Sequence, residues 1–97
     1  MISSFGDAAT EDLFHGRRTS RARRFPADIV SPALRKLDAL NAAATLDDLK
    51  APPGNRLEAL KGSLRGFHSI RVNDQWRLVF RWADGKVEDV RLTDYHL

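Results

Sequence analysis

Seven residues carry side chains suited to breaking a phosphodiester without a metal: the cations Lys61, Arg71 and Arg77, and the groups Glu58, Asp94, Tyr95 and His96. Metal-free RNA cleavage needs few parts. A base takes the proton of a ribose 2′-hydroxyl, and the freed oxygen attacks the adjacent phosphorus. Cations stabilise the developing negative charge, and an acid protonates the departing 5′-oxygen. Each proton-transfer group contributes about 10²–10⁴ in rate, and fixed cations contribute at least comparably. Arg71 and Arg77 flank Asn73-Asp74-Gln75, so a hairpin turning there sets them close together. Glu58 and Asp94 are the candidate bases. His96 is the candidate acid, because imidazole changes charge near neutral pH. The chain's only tyrosine, Tyr95, could stack on a nucleobase. Taken singly, each has a plainer reading as a surface arginine, a frayed tail residue or a tyrosine at the edge of a core. As a set they favour a ligand, since like charges clustered on one sheet are otherwise destabilising.

A second group lies near the start. Arg17, Arg18, Arg21, Arg23 and Arg24 place five arginines in eight residues with no acid among them. The run has no apolar periodicity and reads as an exposed loop. A solvated linker is the bland interpretation; a phosphate-contacting arm is the functional one, and docking of an acidic partner is a third. Arg56 is grouped with these arginines as an RNA contact.

Composition narrows the alternatives. The chain has 97 residues, a formal net charge of +3 and no cysteine. That length suits one domain, residues 1–97, burying roughly two-thirds of its unfolded surface. Disulfides, thiolate zinc sites and cysteine nucleophiles are excluded. The three histidines, His15, His68 and His96, match no metal-ligand spacing, so neither metal nor cofactor is expected. His68 reads as a satisfied buried histidine and His15 as a helix C-terminal residue. No targeting segment and no apolar run of about 20 residues is present, which predicts a cytoplasmic protein that does not engage membranes. The excess charge predicts a highly charged partner such as RNA or a ribosome.

The elements that must position these groups are legible in outline. Ile2–Phe5 is a short strand. Thr10 is the expected N-cap of a helix from Glu11 to about His15, ended by Gly16. Val30, Ala33, Leu34, Leu37, Asn41 and Ala44 follow helical spacing, with Ser31 as N-cap and Pro32 at the first position. Pro26 to Ile29 could form a separate turn before it. Thr45 opens a short capped turn. Residues 55–60 read as a strand. Ser69–Phe80, continuing to Trp82, alternates as a hairpin, with Ile70, Val72, Trp76, Leu78, Phe80 and Trp82 on a packed face. Ser69, Arg71, Arg77, Val79 and Arg81 fall on a polar one. Asp84-Gly85 is a strong turn signal before a last strand over 86–92. The predicted fold class is α+β: two N-terminal helices on one face of a mainly antiparallel sheet.

With these motifs in order, the chain resembles the HigB-type branch of the RelE/ParE toxin superfamily. The likeness is carried by Met1-Ile2 with Ser4-Phe5, by residues 34–43, by Pro52-Pro-Gly-Asn-Arg-Leu-Glu-Ala-Leu-Lys-Gly62, by Ser69–Arg77, by Phe80-Arg-Trp82 and by Asp94-Tyr-His96. The resemblance implies an RNase-like fold and a ribosome-dependent mRNA endonuclease. It also implies a helix-turn-helix, HigA-like antitoxin as partner, with operator DNA bound only through the toxin–antitoxin complex. By position, Lys61 and Arg77 match the family's phosphate-binding cations, and Asp94, Tyr95 and His96 its C-terminal functional cluster. The superfamily also implies a rival, a non-catalytic gyrase inhibitor. A second rival is a basic RNA-binding regulatory domain that cuts nothing.

Overall fold

A computed structural model describes residues 1–94 of the chain. Two helices, α1 (Ala8–Phe14) and α2 (Ala27–Ala42), precede four strands, β1 (Glu58–Ala59), β2 (Phe67–Arg71), β3 (Trp76–Ala83) and β4 (Lys86–Asp94). The strands form one antiparallel sheet in the order β1-β2-β3-β4. The α+β class and the placement of both helices on one face agree with the sequence reading.

The core lies between α2 and the sheet. Ile29, Ala33, Leu37 and Leu40 are buried on α2 and meet Ile70, Leu78, Phe80, Val87, Val90 and Leu92, with Leu13 of α1 closing one end. The buried stripe of α2 is therefore rotated from the predicted one. Asn41 and Ala44 are exposed, and the Asn41 Oδ1 accepts the Ile2 N–H at 3.0 Å. The helix also starts earlier than Ser31, with Pro26 as N-cap and Pro32 inside it. Burying Ile29, worth about 1.5–3 kcal/mol, offsets the bond that the missing Pro32 N–H denies the preceding turn.

The first helix is capped by Asp7, not Thr10. Asp7 Oδ1 accepts the Thr10 N–H at 2.7 Å. The Thr10 hydroxyl is buried and accepts the Leu92 N–H of β4 at 2.9 Å, a long-range bond that a local capping rule does not foresee. Gly16, with φ 72°, follows the C-cap His15 as anticipated.

Strand pairing departs from a simple meander at both ends. Residues 55–60 form a strand only at Glu58–Ala59, because Pro53–Asn55 is a 3₁₀ turn and Arg56 is left-handed. At the other edge the N-terminal segment runs parallel to β4, with bridges Ile2–Val87 and Phe5–Val90. Between those bridges β4 carries a bulge: Val79 opposes Arg91, but Arg81 opposes Glu88. Asp89 takes a left-handed conformation there and gives its N–H to Ser4 Oγ.

Candidate active site

The sheet face turned away from the helices carries two of the predicted cations, Arg71 and Arg77. Its rows can be read from the register. Arg71 opposes Arg77, which opposes Thr93; Glu58 opposes Ser69, which opposes Val79, which opposes Arg91. This face is less open than alternation predicts, because Ser69 and Val79 are fully buried on it. Val79 has Arg77 and Arg81 along its own strand and Arg91 across from it, and long arginine stems can cover an apolar side chain in this way.

Arg77 is the most constrained of the cations. Its side chain is 15% exposed and lies 3.6 Å from Glu58 Oε1. Its Nη2 donates to the Arg56 carbonyl at 2.9 Å, and its Nε is buried without a partner among the described residues. The Arg56 carbonyl is held in place from below. Asn55 is fully buried; its Nδ2 donates to the Leu49 and Ala51 carbonyls, and its Oδ1 accepts from Lys36 of α2. The left-handed backbone of Arg56 follows directly. Arg56 thus serves this site through its carbonyl, while its side chain points to solvent as an exposed residue. Sequence reasoning missed Asn55 altogether, because its burial does not show in the residue pattern.

The other candidates are held more loosely. Arg71 is ion-paired with Asp74 of the turn. Lys61 is exposed, two residues past β1 at the N-cap of the turn Gly62–Leu64. Asp94 ends β4 opposite Trp76 and accepts a hydrogen bond from Gln75 Nε2 at 2.8 Å. Tyr95 and His96 lie outside the described residues. His68, expected to be satisfied, is half-buried near Phe80, with no partner for its Nδ1 among the described residues. His15 is exposed beside Phe5 and Phe14. Among the described residues no group of three His, Cys, Asp or Glu side chains could hold a metal ion.

The arginine run is not a free loop. Asp12 is 2% exposed. It receives Arg17 Nη1 at 3.3 Å, Arg21 Nη2 at 2.9 Å and the Thr19 hydroxyl at 2.7 Å. The Thr19 hydrogen bond first, then Arg21 and Arg17, hold its carboxyl below the ordinary carboxylate range. The run folds into a 3₁₀ turn at Ala22–Arg24 with Ala22 buried, and Arg23 bonds the Arg18 carbonyl. This fold brings the run up to one member of the first group, Asp94. Arg21 and Arg24 line a pocket of about 520 Å³ whose other walls include Phe25, Trp76 and Asp94. Phe25 and Trp76 meet edge-on there, with ring centroids 5.8 Å apart. Trp76, expected in the core, is therefore half-buried and faces this pocket.

Two helices on one side of a small antiparallel sheet, with arginines across the other, define a class: the fold of the RelE-like toxins. The solved YoeB–YefM toxin–antitoxin complex from Staphylococcus aureus has the same fold, with a TM-score of 0.61 at 19% identity over 100% of this chain and 99% of that one. A YafQ variant from E. coli matches with a TM-score of 0.64 at 15% identity over 97% and 93%. Sequence then narrows the class. The chain belongs to the HigB-like toxin family, described as the RelE-like toxin of the type II toxin–antitoxin system HigB, whose model matches residues 3–96. It is 45% identical to Toxin HigB-1 of Vibrio cholerae serotype O1 over 85 residues, 88% of this chain and 87% of that one. It is 31% identical to Endoribonuclease HigB of Proteus vulgaris over 96 residues, 99% of this chain and all of that one. No helix among the described residues is long and apolar enough to cross a membrane.

Proposed function

We propose that this toxin is a cytoplasmic endoribonuclease that cuts mRNA on the ribosome, using the RNA's own 2′-hydroxyl as nucleophile. The observation that carries the reading is Arg77, a nearly buried guanidinium fixed by the Arg56 carbonyl with Glu58 3.6 Å away, on the face the helices leave uncovered. Such a group is preorganised to stabilise charge as it develops on a phosphorane. Arg77 and Lys61 hold the scissile phosphate, with Arg71 beside them. Glu58 or Asp94 removes the 2′-hydroxyl proton, and the 2′-oxygen bonds to phosphorus. The bond from phosphorus to the 5′-oxygen breaks, and His96 protonates that oxygen. The products are a 2′,3′-cyclic phosphate and a free 5′-hydroxyl. Tyr95 places the nucleotide, and the arginines of the loop extend the RNA contact toward the Trp76 pocket.

The endoribonuclease name of the Proteus relative supports this reading, and the family's toxin–antitoxin description supports a cognate antitoxin. We take that partner to be a helix-turn-helix protein that carries the complex to operator DNA. The decisive experiment maps mRNA 5′-ends on programmed ribosomes, beside a gyrase supercoiling assay. New 5′-ends with wild type and none with Arg77→Ala support the reading. Inhibited supercoiling with intact mRNA replaces it with the gyrase alternative.

A further inference from the structure

Arg91 is a cation that no motif singled out. It lies on the outer face of β4 opposite Val79, one alternation from Thr93, which opposes Arg77. Arg77 and Arg91 are thus diagonal neighbours on adjacent strands, with Cβ atoms roughly 7 Å apart, but their guanidiniums diverge: Arg77 reaches the Arg56 carbonyl and Glu58 at the β1 edge, and Arg91 lies against Gly6 at the N-terminal edge. The other guanidiniums of this face have acidic partners: Asp74 for Arg71, Glu58 for Arg77 and Asp89 for Arg81. Arg91 has none among the described residues, and its Nε is buried with no hydrogen-bond partner.

Gly6 gives Arg91 its seat. A Cβ at Gly6 would lie 2.6 Å from the Arg91 Nε and 2.8 Å from its Nη2. The Gly6 N–H donates to the Val90 carbonyl at 2.8 Å, so this backbone is tied to the strand that bears Arg91. The Gly6 backbone is not left-handed. What is excluded there is the bulk of a side chain, not a conformation. The Nε of this half-buried residue is therefore covered beside the Gly6 backbone, and the guanidinium has no acidic partner among the described residues. A half-desolvated cation without a carboxylate is costly unless an anion completes it.

We propose that Arg91, seated on Gly6, is a second phosphate-binding residue that takes an RNA phosphodiester further toward the N-terminal edge of the sheet than the one at Arg77. This rests on the ribonuclease reading and adds a direction to it: the RNA crosses the strands from β3 toward the N-terminal edge. The competing role is structural, with the Arg91 stem covering Val79.

The test uses the full chain and a 2′-O-methyl oligoribonucleotide, which keeps every phosphate and cannot be cut through its 2′-oxygen. Binding is measured across a salt series for wild type, Arg91→Met, Arg91→Lys and Gly6→Ala, alongside melting temperatures. Arg91→Met keeps an apolar stem and removes the charge. It should bind about tenfold more weakly, with a salt slope shallower by about 0.7, the value of one phosphate on a single strand. Arg91→Lys should restore the slope. Gly6→Ala should weaken binding at an unchanged melting temperature, because the atoms it displaces are the far end of a flexible side chain. A wild-type slope in Arg91→Met overturns the proposal, even if that variant melts lower. Lost binding to an acidic antitoxin with RNA binding intact overturns it equally. If wild type neither binds nor cuts RNA, the ribonuclease reading itself falls and takes this one with it.

Discussion

Two sets of arginines, similar in sequence, are put to opposite uses. In the run 17–24, Arg17 and Arg21 close on the buried Asp12 carboxylate, and Arg23 bonds a neighbouring carbonyl. Much of that charge is consumed in folding the loop. On the sheet, Arg77 is oriented by the Arg56 carbonyl and by the Glu58 carboxylate 3.6 Å away, and Arg91 by a glycine. Those guanidiniums are held without being saturated. The lesson is that the density of a charge run does not locate a ligand; what is left over after internal pairing does.

That contrast can be broken most directly at Arg77. Arg77→Ala should lower cleavage on programmed ribosomes by about 10²–10³ with the melting temperature nearly unchanged, and abolish growth arrest. Full toxicity in this variant would remove the distinction between the two sets. Next in size, Asn55→Ala should orphan the Leu49 and Ala51 carbonyls, costing about 1–3 kcal/mol in denaturant unfolding. It should also release the Arg56 carbonyl, so its cleavage rate should fall beyond what the unfolded fraction explains.

Asp12→Asn should do the reverse: lower the melting temperature while leaving single-turnover cleavage closer to wild type than Arg77→Ala does. Its pH dependence sharpens the point. The Asp12 carboxyl is held below its ordinary value of 3.8, as is that of Asp48 through the backbone N–H groups of Thr45 and Ala44. A group whose pKa is depressed by folding stabilises the fold above its unfolded pKa and loses that contribution as pH falls through the folded one. Stability measured from pH 5 down to about pH 2 should therefore fall less steeply in Asp12→Asn. The smallest effect is expected for the arginines that Asp12 does not hold. Arg18→Gln with Arg24→Gln should weaken RNA binding uniformly across sequences and flatten its salt slope, with little change in stability.

What could be read in the sequence follows the range of the forces involved. Alternation across a short turn placed Arg71 opposite Arg77 and put Ile70, Leu78 and Phe80 on the packed face, because strand periodicity is local. Helical spacing found α2 but not its start, where burial of Ile29 outweighed the penalty of Pro32. Thr10 looked like a cap until a strand 82 residues away claimed its hydroxyl. Asp12 gave no signal of its role, since nothing nearby says that a later loop will fold onto it. The Gly6–Arg91 contact was invisible for the same reason: its residues lie far apart in the chain, and no window of neighbours encodes their meeting. Asn55 bonds near neighbours, Leu49 and Ala51, and what hid it was its burial, which spacing does not show.

One such meeting bears on how the toxin is made. The Met1, Ser3, Ser4 and Gly6 backbone groups bond to Val87 and Val90, the strand that leads into the cluster beginning at Asp94. Synthesis runs from the first of these residues to the last. The segment 1–6 finds these partners only after the strand carrying Val87 and Val90 has been translated. On the ribosome this edge of the sheet therefore closes only once β4 has emerged, and the fold delays its own weapon through the order of translation.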